Sequence, residues 1–145
     1  MNAVVPDEST NLNSTAFPEG TSVSVALYID ADNQSPQCAK ALLSVFRLDL
    51  DARVVSATIA GNNHGQQINS WRDELLSVLP NLVVHTLTAP HRKQGADVAL
   101  LMALGAGLER HVRERELVVI VSRDDLVIGA AEQAKARGCR TWITY

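Results

Sequence analysis

From Ser22 onward, short β-branched runs alternate with longer stretches in which apolar residues recur three and four positions apart. Val23–Ile29 (VSVALYI), Arg53–Ile59 (RVVSATI), Leu82–Leu87 (LVVHTL), Leu117–Val121 (LVVIV) and Arg140–Ile143 predict five strands. They are near-continuously apolar, as strands covered on both faces are. Between them, Ala39, Leu42, Leu43, Phe46 and Leu50 keep helical spacing, with Ser35-Pro36 as a hydroxyl cap and a proline at the first helical position. Ile68, Trp71, Leu75 and Leu79 predict a second helix that stops at Pro80, after the break at Gly61-Asn62-Asn63. A long helix of small apolar residues follows from about Ala96 to Val112, and a fourth opens after Ser122-Arg123-Asp124-Asp125 and ends at Gly138.

Strand–helix alternation requires crossovers between parallel neighbours. The expected fold is therefore α/β, a three-layer sandwich around a five-stranded, mostly parallel sheet, as one domain over residues 21–145. Residues 1–20, rich in Ser, Thr, Asn, Pro and acids, show no sustained period and are expected to form a disordered tail.

Ligands of such sheets sit beyond the carboxyl ends of the strands. Asp30 and Asp32 follow the first strand, Asp124 and Asp125 the fourth, and Asp97 stands in the first turn of the long helix. Acids gathered at one rim raise one another's pKa unless a cation lies between them, and Mg²⁺ or Mn²⁺ accepts an all-oxygen ligand set. Helix capping is the competing explanation. Asp32, Asn33 and Ser35 could serve the turn before the first helix, Ser122 and Asp124 could cap the fourth, and Asp97 could complement a helix dipole. Asp30 ends an apolar strand before any helix begins, so capping explains it least.

Composition narrows the classes. Of 145 residues, 13 are Lys or Arg and 16 are Asp or Glu. Three of the acids (Asp7, Glu8, Glu19) fall in the first twenty positions, so the remainder is formally neutral. That argues against a domain coated in basic charge for gripping duplex DNA and leaves room for a local basic patch. Cys38 and Cys139 are too few for a disulfide scaffold or a Cys-rich zinc site. No run approaches the roughly 20 apolar residues of a membrane span, and no signal peptide is apparent, so a cytoplasmic protein without membrane association is expected.

YIDADNQSP resembles the strand-end "IDxxN" motif of the NYN domains of the PIN-like ribonuclease superfamily. KQGADVALLMAL resembles that family's "KxxADxxL" helix start, and IVSRDDLV its "vSxDxDf" strand end. The motifs occur in family order and span most of residues 23–143. The resemblance implies sheet order 3-2-1-4-5, with the first and fourth strands adjacent. It implies Asp30, Asp97 and Asp124 as the catalytic, metal-binding acids, supported by Asn33 and Ser122. The implied chemistry is Mg²⁺- or Mn²⁺-dependent hydrolysis of RNA phosphodiesters, and pairing into homodimers is a family expectation. The pattern departs at Ala103 and Leu126, where the family often carries further acids, with Asp125 displaced by one residue. One ion, or a weakly held one, then replaces a two-metal site.

Arg92 and Lys93, with His91, are candidates for holding the substrate backbone, against a plain solvated loop. Asp32 and Asp125 are candidate supporting acids. Arg110, His111, Arg113 and Arg115 lie among Glu109, Glu114 and Glu116 and are expected to form a solvated helix end. His64 fits a polar turn, while His85 and Trp71 are expected in the core. Two other functions remain open: a degenerate NYN domain acting as an RNA-binding or protein-interaction module, and a haloacid dehalogenase-like phosphatase with Asp30-Ala31-Asp32 as its nucleophile motif. The phosphatases need structure inserted after the first strand, and Ser35-Pro36 leaves little room for it. A receiver domain is rejected, because Thr88 and Thr144 stand where it needs Asp and Lys.

Overall fold

The computed structural model describes residues 23–62, 66–89 and 95–145. The apolar runs form β1 (Val23–Asp30), β2 (Ala52–Asn62), β3 (Val83–Ala89), β4 (Leu117–Val121) and β5 (Arg140–Thr144). The helices are α1 (Ala39–Ser44), α2 (Gln66–Val78), α3 (Gly95–Arg113) and α4 (Asp125–Ala136). All strand pairs are parallel, in the order β3-β2-β1-β4-β5. β1 and β4 are neighbours at the centre, with Ile29 opposite Val121 and Asp30 opposite Ala60. The tail expected over residues 1–20 lies outside the described residues.

Strand alternation divides the interior in two. Val25, Leu27 and Ile29 of β1 pack with Leu42, Phe46, Trp71 and Leu75 on the side of α1 and α2. Ala26 and Tyr28 pack with Leu100, Leu104, Val127 and Ala131 on the side of α3 and α4. The architecture is thus a three-layer α/β sandwich. Asp30 continues the Ala26–Tyr28 series, so the same alternation that builds the second core aims its carboxylate toward α3.

Several boundaries differ from the pattern-based expectation. β2 continues through Gly61 and Asn62, which pair with Thr88 and Ala89, instead of breaking there. The first helix is not continuous. A 3₁₀ turn (Pro36–Cys38) leads into α1, which widens into a π turn (Val45–Asp49) before Asp51 takes a φ of 47°. The Ser35 hydroxyl does not cap it but turns to the Gln37 side chain. The C-terminus of α4 matches expectation. Gly138, at φ 90°, lets its own amide reach Lys135 O and that of Cys139 reach Ala134 O, the paired bonds of a Schellman stop.

β3 is an edge strand with much of its surface open, and Val83 is 54% exposed. His85, expected in the core, is exposed there because alternation sends it to a part of the sheet that α3 covers only with small residues. His111, expected on a solvated helix end, is 1% exposed. It lies on the inward stripe of α3, a position that charge counting along the sequence does not register. Trp71 is fully buried as expected, its indole N–H donating to Gln34 O at 3.0 Å.

Candidate active site

The carboxyl ends of β1 and β4 and the first turn of α3 bring three of the predicted acids together. Asp30 and Asp97 are 1% and 5% exposed, a degree of burial that carboxylates rarely show without partners. Asp30 Oδ2 accepts from the Asn33 side-chain amide at 2.9 Å and from the Ser122 hydroxyl at 3.2 Å. Its Oδ1 is buried and has no partner, and neither has Oδ1 of Asp97. Two carboxylate oxygens removed from water without a donor are costly.

The electrostatics agree with the geometry. Burial pushes the Asp30 pKa up, the Asn33 and Ser122 hydrogen bonds oppose it, and the charges of Asp32 and Asp124 add to the rise. Burial also lifts Asp97, to about 6, with further contributions from Asp30, from Asp124, from a hydrogen bond with the Asp124 side chain, and from Asp32. Asp97 therefore holds its proton more tightly than an ordinary carboxyl does.

Asp124 takes the capping role that the sequence offered. Its Oδ1 caps α4 by accepting from Leu126 N at 2.8 Å, and its charge still bears on Asp30 and Asp97. Ser122 accepts from Asp124 N at 3.1 Å while donating to Asp30, so one hydroxyl fixes both strand ends. Asp32 lies at the rim and accepts from Asn62 Nδ2 at 3.3 Å. Asp125 is exposed at the start of α4 and is not among the charges that raise Asp30 or Asp97. It does not join the group. Arg92 and Lys93, with His64 and His91, lie outside the described residues.

Among the described residues, no set of three or more His, Cys, Asp or Glu side chains stands gathered as a ready cation cage. Asp124 directs its carboxylate to the α4 cap and to Asp97. The donor chemistry nevertheless suits a hard cation, with carboxylate oxygens alone and two of them buried and free.

The fold has a solved counterpart. A protein of unknown function from Vibrio parahaemolyticus superposes with a TM-score of 0.54 over 86% of this chain and 82% of its own, at 16% identity. That similarity concerns architecture alone. No family model matches the sequence, and no curated protein matches it.

Sequence reasoning passed over two residues of this rim. Asn62 looked like part of a strand break, yet it steadies Asp32 from the end of β2. Gly61 is required by close approach, since a Cβ there would lie 2.8 Å from Ile68 Cγ1 and 3.1 Å from Asp32 Oδ1. The signal available was the Gly-Asn pair directly after an apolar strand, which marks a close backbone approach as readily as a turn. No helix among the described residues is long and apolar enough to cross a membrane.

Proposed function

We propose that this chain is a metal-dependent ribonuclease of the NYN type, acting at the notch between Asp30, Asp97 and Asp124. The observation that carries the reading is the pair of buried, unpartnered oxygens, Asp30 Oδ1 and Asp97 Oδ1. Ordinary packing gives no reason to retain two such atoms on carboxylates whose charges act on each other, whereas a cation would satisfy both. Asp30 and Asp97 would hold Mg²⁺ or Mn²⁺ through these oxygens, and Asp124 would join by giving up its hydrogen bond to Asp97. The bound ion supplies charge neutralisation at a phosphodiester oxygen and a more acidic water.

The remaining work falls to the chain itself. Asn33 and Ser122 fix the rotamer of Asp30 by holding Oδ2, which leaves Oδ1 without a partner. Asn62 keeps Asp32 at the rim, where its charge strengthens the pull on a cation. Arg92 and Lys93, just before α3 in sequence, are the candidates for gripping the RNA backbone. A cytoplasmic setting and a paired form belong to the same reading.

A second reading keeps the RNA and drops the cleavage. It is favoured by the engagement of Asp124 and by Ala103 and Leu126, where the resemblance leads one to expect acids. The phosphatase alternative gains nothing, because the chain passes from Asp30 to the 3₁₀ turn at Pro36 with no inserted element. Cleavage of a labelled single-stranded RNA in Mn²⁺ decides between the first two. Wild type should cut, and Asp30→Asn should lose at least about 100-fold, as expected when one group stabilising charge in the transition state is removed. Equal cutting by the variant would end the nuclease reading. RNA binding without any cutting would establish the second.

A further inference from the structure

The amino ends of the strands, opposite the acid notch, carry a different kind of surface. There α1 and its π turn, the start of β2 and the end of α2 enclose a groove of about 470 Å³. Val54, Val78 and Leu79 line it. Val54 and Leu79 are half-buried against the core, while Val78, the last residue of α2, is 41% exposed. A valine left open beside a depression has apolar surface still to bury.

Lys40, Arg47 and Arg53 also line the groove, and all three are exposed. Among the described residues, no Asp or Glu lines it, and none of the three cations has an ion-pair partner. The groove therefore suits an occupant that offers an apolar side chain flanked by acids.

Such an occupant is tethered beside it. β1 begins at Val23, which pairs with Ala52, a further residue of the groove wall. Neighbouring strands lie about 4.8 Å apart, so the chain enters the fold at the lip of the groove. The segment that leads there, residues 1–22, holds three carboxylates (Asp7, Glu8, Glu19), no Lys or Arg, and a single aromatic, Phe17. The chain between Phe17 and Val23 can span about 20 Å when extended, several times the spacing between strands. Pro18 disfavours helical backbone at Phe17, and in an extended chain residues two apart, such as Phe17 and Glu19, face the same side. A segment too polar to build a core alone orders by binding a surface.

We propose that the chain's own segment 16–19 docks in this groove. The Phe17 ring packs against Val54, Val78 and Leu79, and the Glu19 carboxylate meets Arg53. The docking lies at the far end of the strands from the acid notch and does not depend on the ribonuclease reading.

A Glu-specific protease acting on the full chain tests this, because it can cut after Glu8 and after Glu19. Cleavage needs the segment to leave the groove, so the cut after Glu19 should be at least about tenfold slower than the cut after Glu8. Phe17→Ala and Val78→Glu should each remove that protection and leave the cut after Glu8 unchanged. Arg53→Glu should weaken the protection at least about threefold. A variant that had merely unfolded would also be cut after Glu132, within α4, which separates loss of docking from loss of fold. In the wild-type chain, nuclear Overhauser effects should join the Phe17 ring to the methyl groups of Val78. The proposal is overturned if Glu19 is cut as fast as Glu8, or if protection survives Phe17→Ala or Val78→Glu in the folded chain. It is equally overturned if no Overhauser contact joins Phe17 to Val54, Val78 or Leu79. Protection that grows with protein concentration would overturn it too, by seating a second copy's segment in the groove.

Discussion

Ser122 donates its hydroxyl to Asp30 Oδ2 at 3.2 Å, although 92 positions of chain separate the two. The bond spans the ends of β1 and β4, strands that meet only because the sheet winds outward in both directions from its centre. Ser122 itself is fully buried, and its amide donates to Thr144 O at 3.1 Å. Three strand ends are thus fastened at one residue, and the carboxylate they hold is the one that capping fails to explain.

Ser122→Ala removes a donor from Asp30 and an acceptor from Asp124 N. Outer-shell partners of metal ligands are worth about 10- to 100-fold in affinity. Mn²⁺ titration by calorimetry should show a loss in that range, with thermal unfolding showing a stability cost of about 1–3 kcal/mol for the unsatisfied buried groups. An unchanged Mn²⁺ affinity would mean that Asp30 is oriented without Ser122.

The acid notch also sets a pH dependence. The Asp97 pKa stands at about 6, against an ordinary 3.8, chiefly through burial and then through Asp30 and Asp124. A raised carboxyl pKa means that the folded state holds the proton more tightly. Its stabilising contribution is complete below 3.8 and is lost as pH rises through about 6. In EDTA, the Tm of wild type relative to Asp97→Asn should therefore fall between pH 4 and 7 on this interval. Mn²⁺ should reverse the fall in wild type and have little effect on the variant.

The layers could be read from the sequence pattern, whereas the sheet order and the approach of Asp97 and Asp124 to Asp30 were implied by the motif resemblance. Strand runs, helical spacing and the acids at strand exits are local patterns that the fold obeys. What escaped depended on contacts between distant segments. His111 was assigned to solvent because Glu109, Arg110 and Arg113 surround it in sequence, yet it faces Tyr28 on β1. His85 was assigned to the core because it sits in an apolar strand, and neither the edge position of β3 nor the small residues of α3 could be weighed beforehand. The cap formed by Asp124 was foreseen as an alternative to a site role, and it leaves the carboxylate within hydrogen-bonding reach of Asp97.

Gly61→Ala probes how tightly β2, α2 and Asp32 are packed. The added methyl would lie 2.8 Å from Ile68 Cγ1, and Ile68 is only 2% exposed, so it has little room to yield. Urea unfolding should register a loss of about 1–3 kcal/mol, the usual cost of overpacking. Combining it with Ile68→Ala should recover part of that cost, giving a coupling of at least about 1 kcal/mol. Strict additivity would show that the backbone of β2 shifts and that Ile68 is not the obstacle.

Tyr28→Phe tests the buried chain that ends at Glu116. His111 Nδ1 donates to the Glu116 carboxylate, and Nε2 shares a hydrogen bond with the Tyr28 phenol. Removing the hydroxyl leaves a buried ring nitrogen unpartnered, which should cost about 1–3 kcal/mol in urea unfolding at neutral pH. Burial is the main cause that pushes the Tyr28 pKa from 10.0 to about 12, with Arg110 opposing and Cys139 and Glu116 adding. The proton is held more tightly in the folded state. The wild-type advantage over Tyr28→Phe should therefore persist below pH 10 and fade as pH climbs through about 12. A gap of constant size across that interval would mean that the phenol ionises as readily folded as unfolded, and that the chain through His111 does not seal it from water.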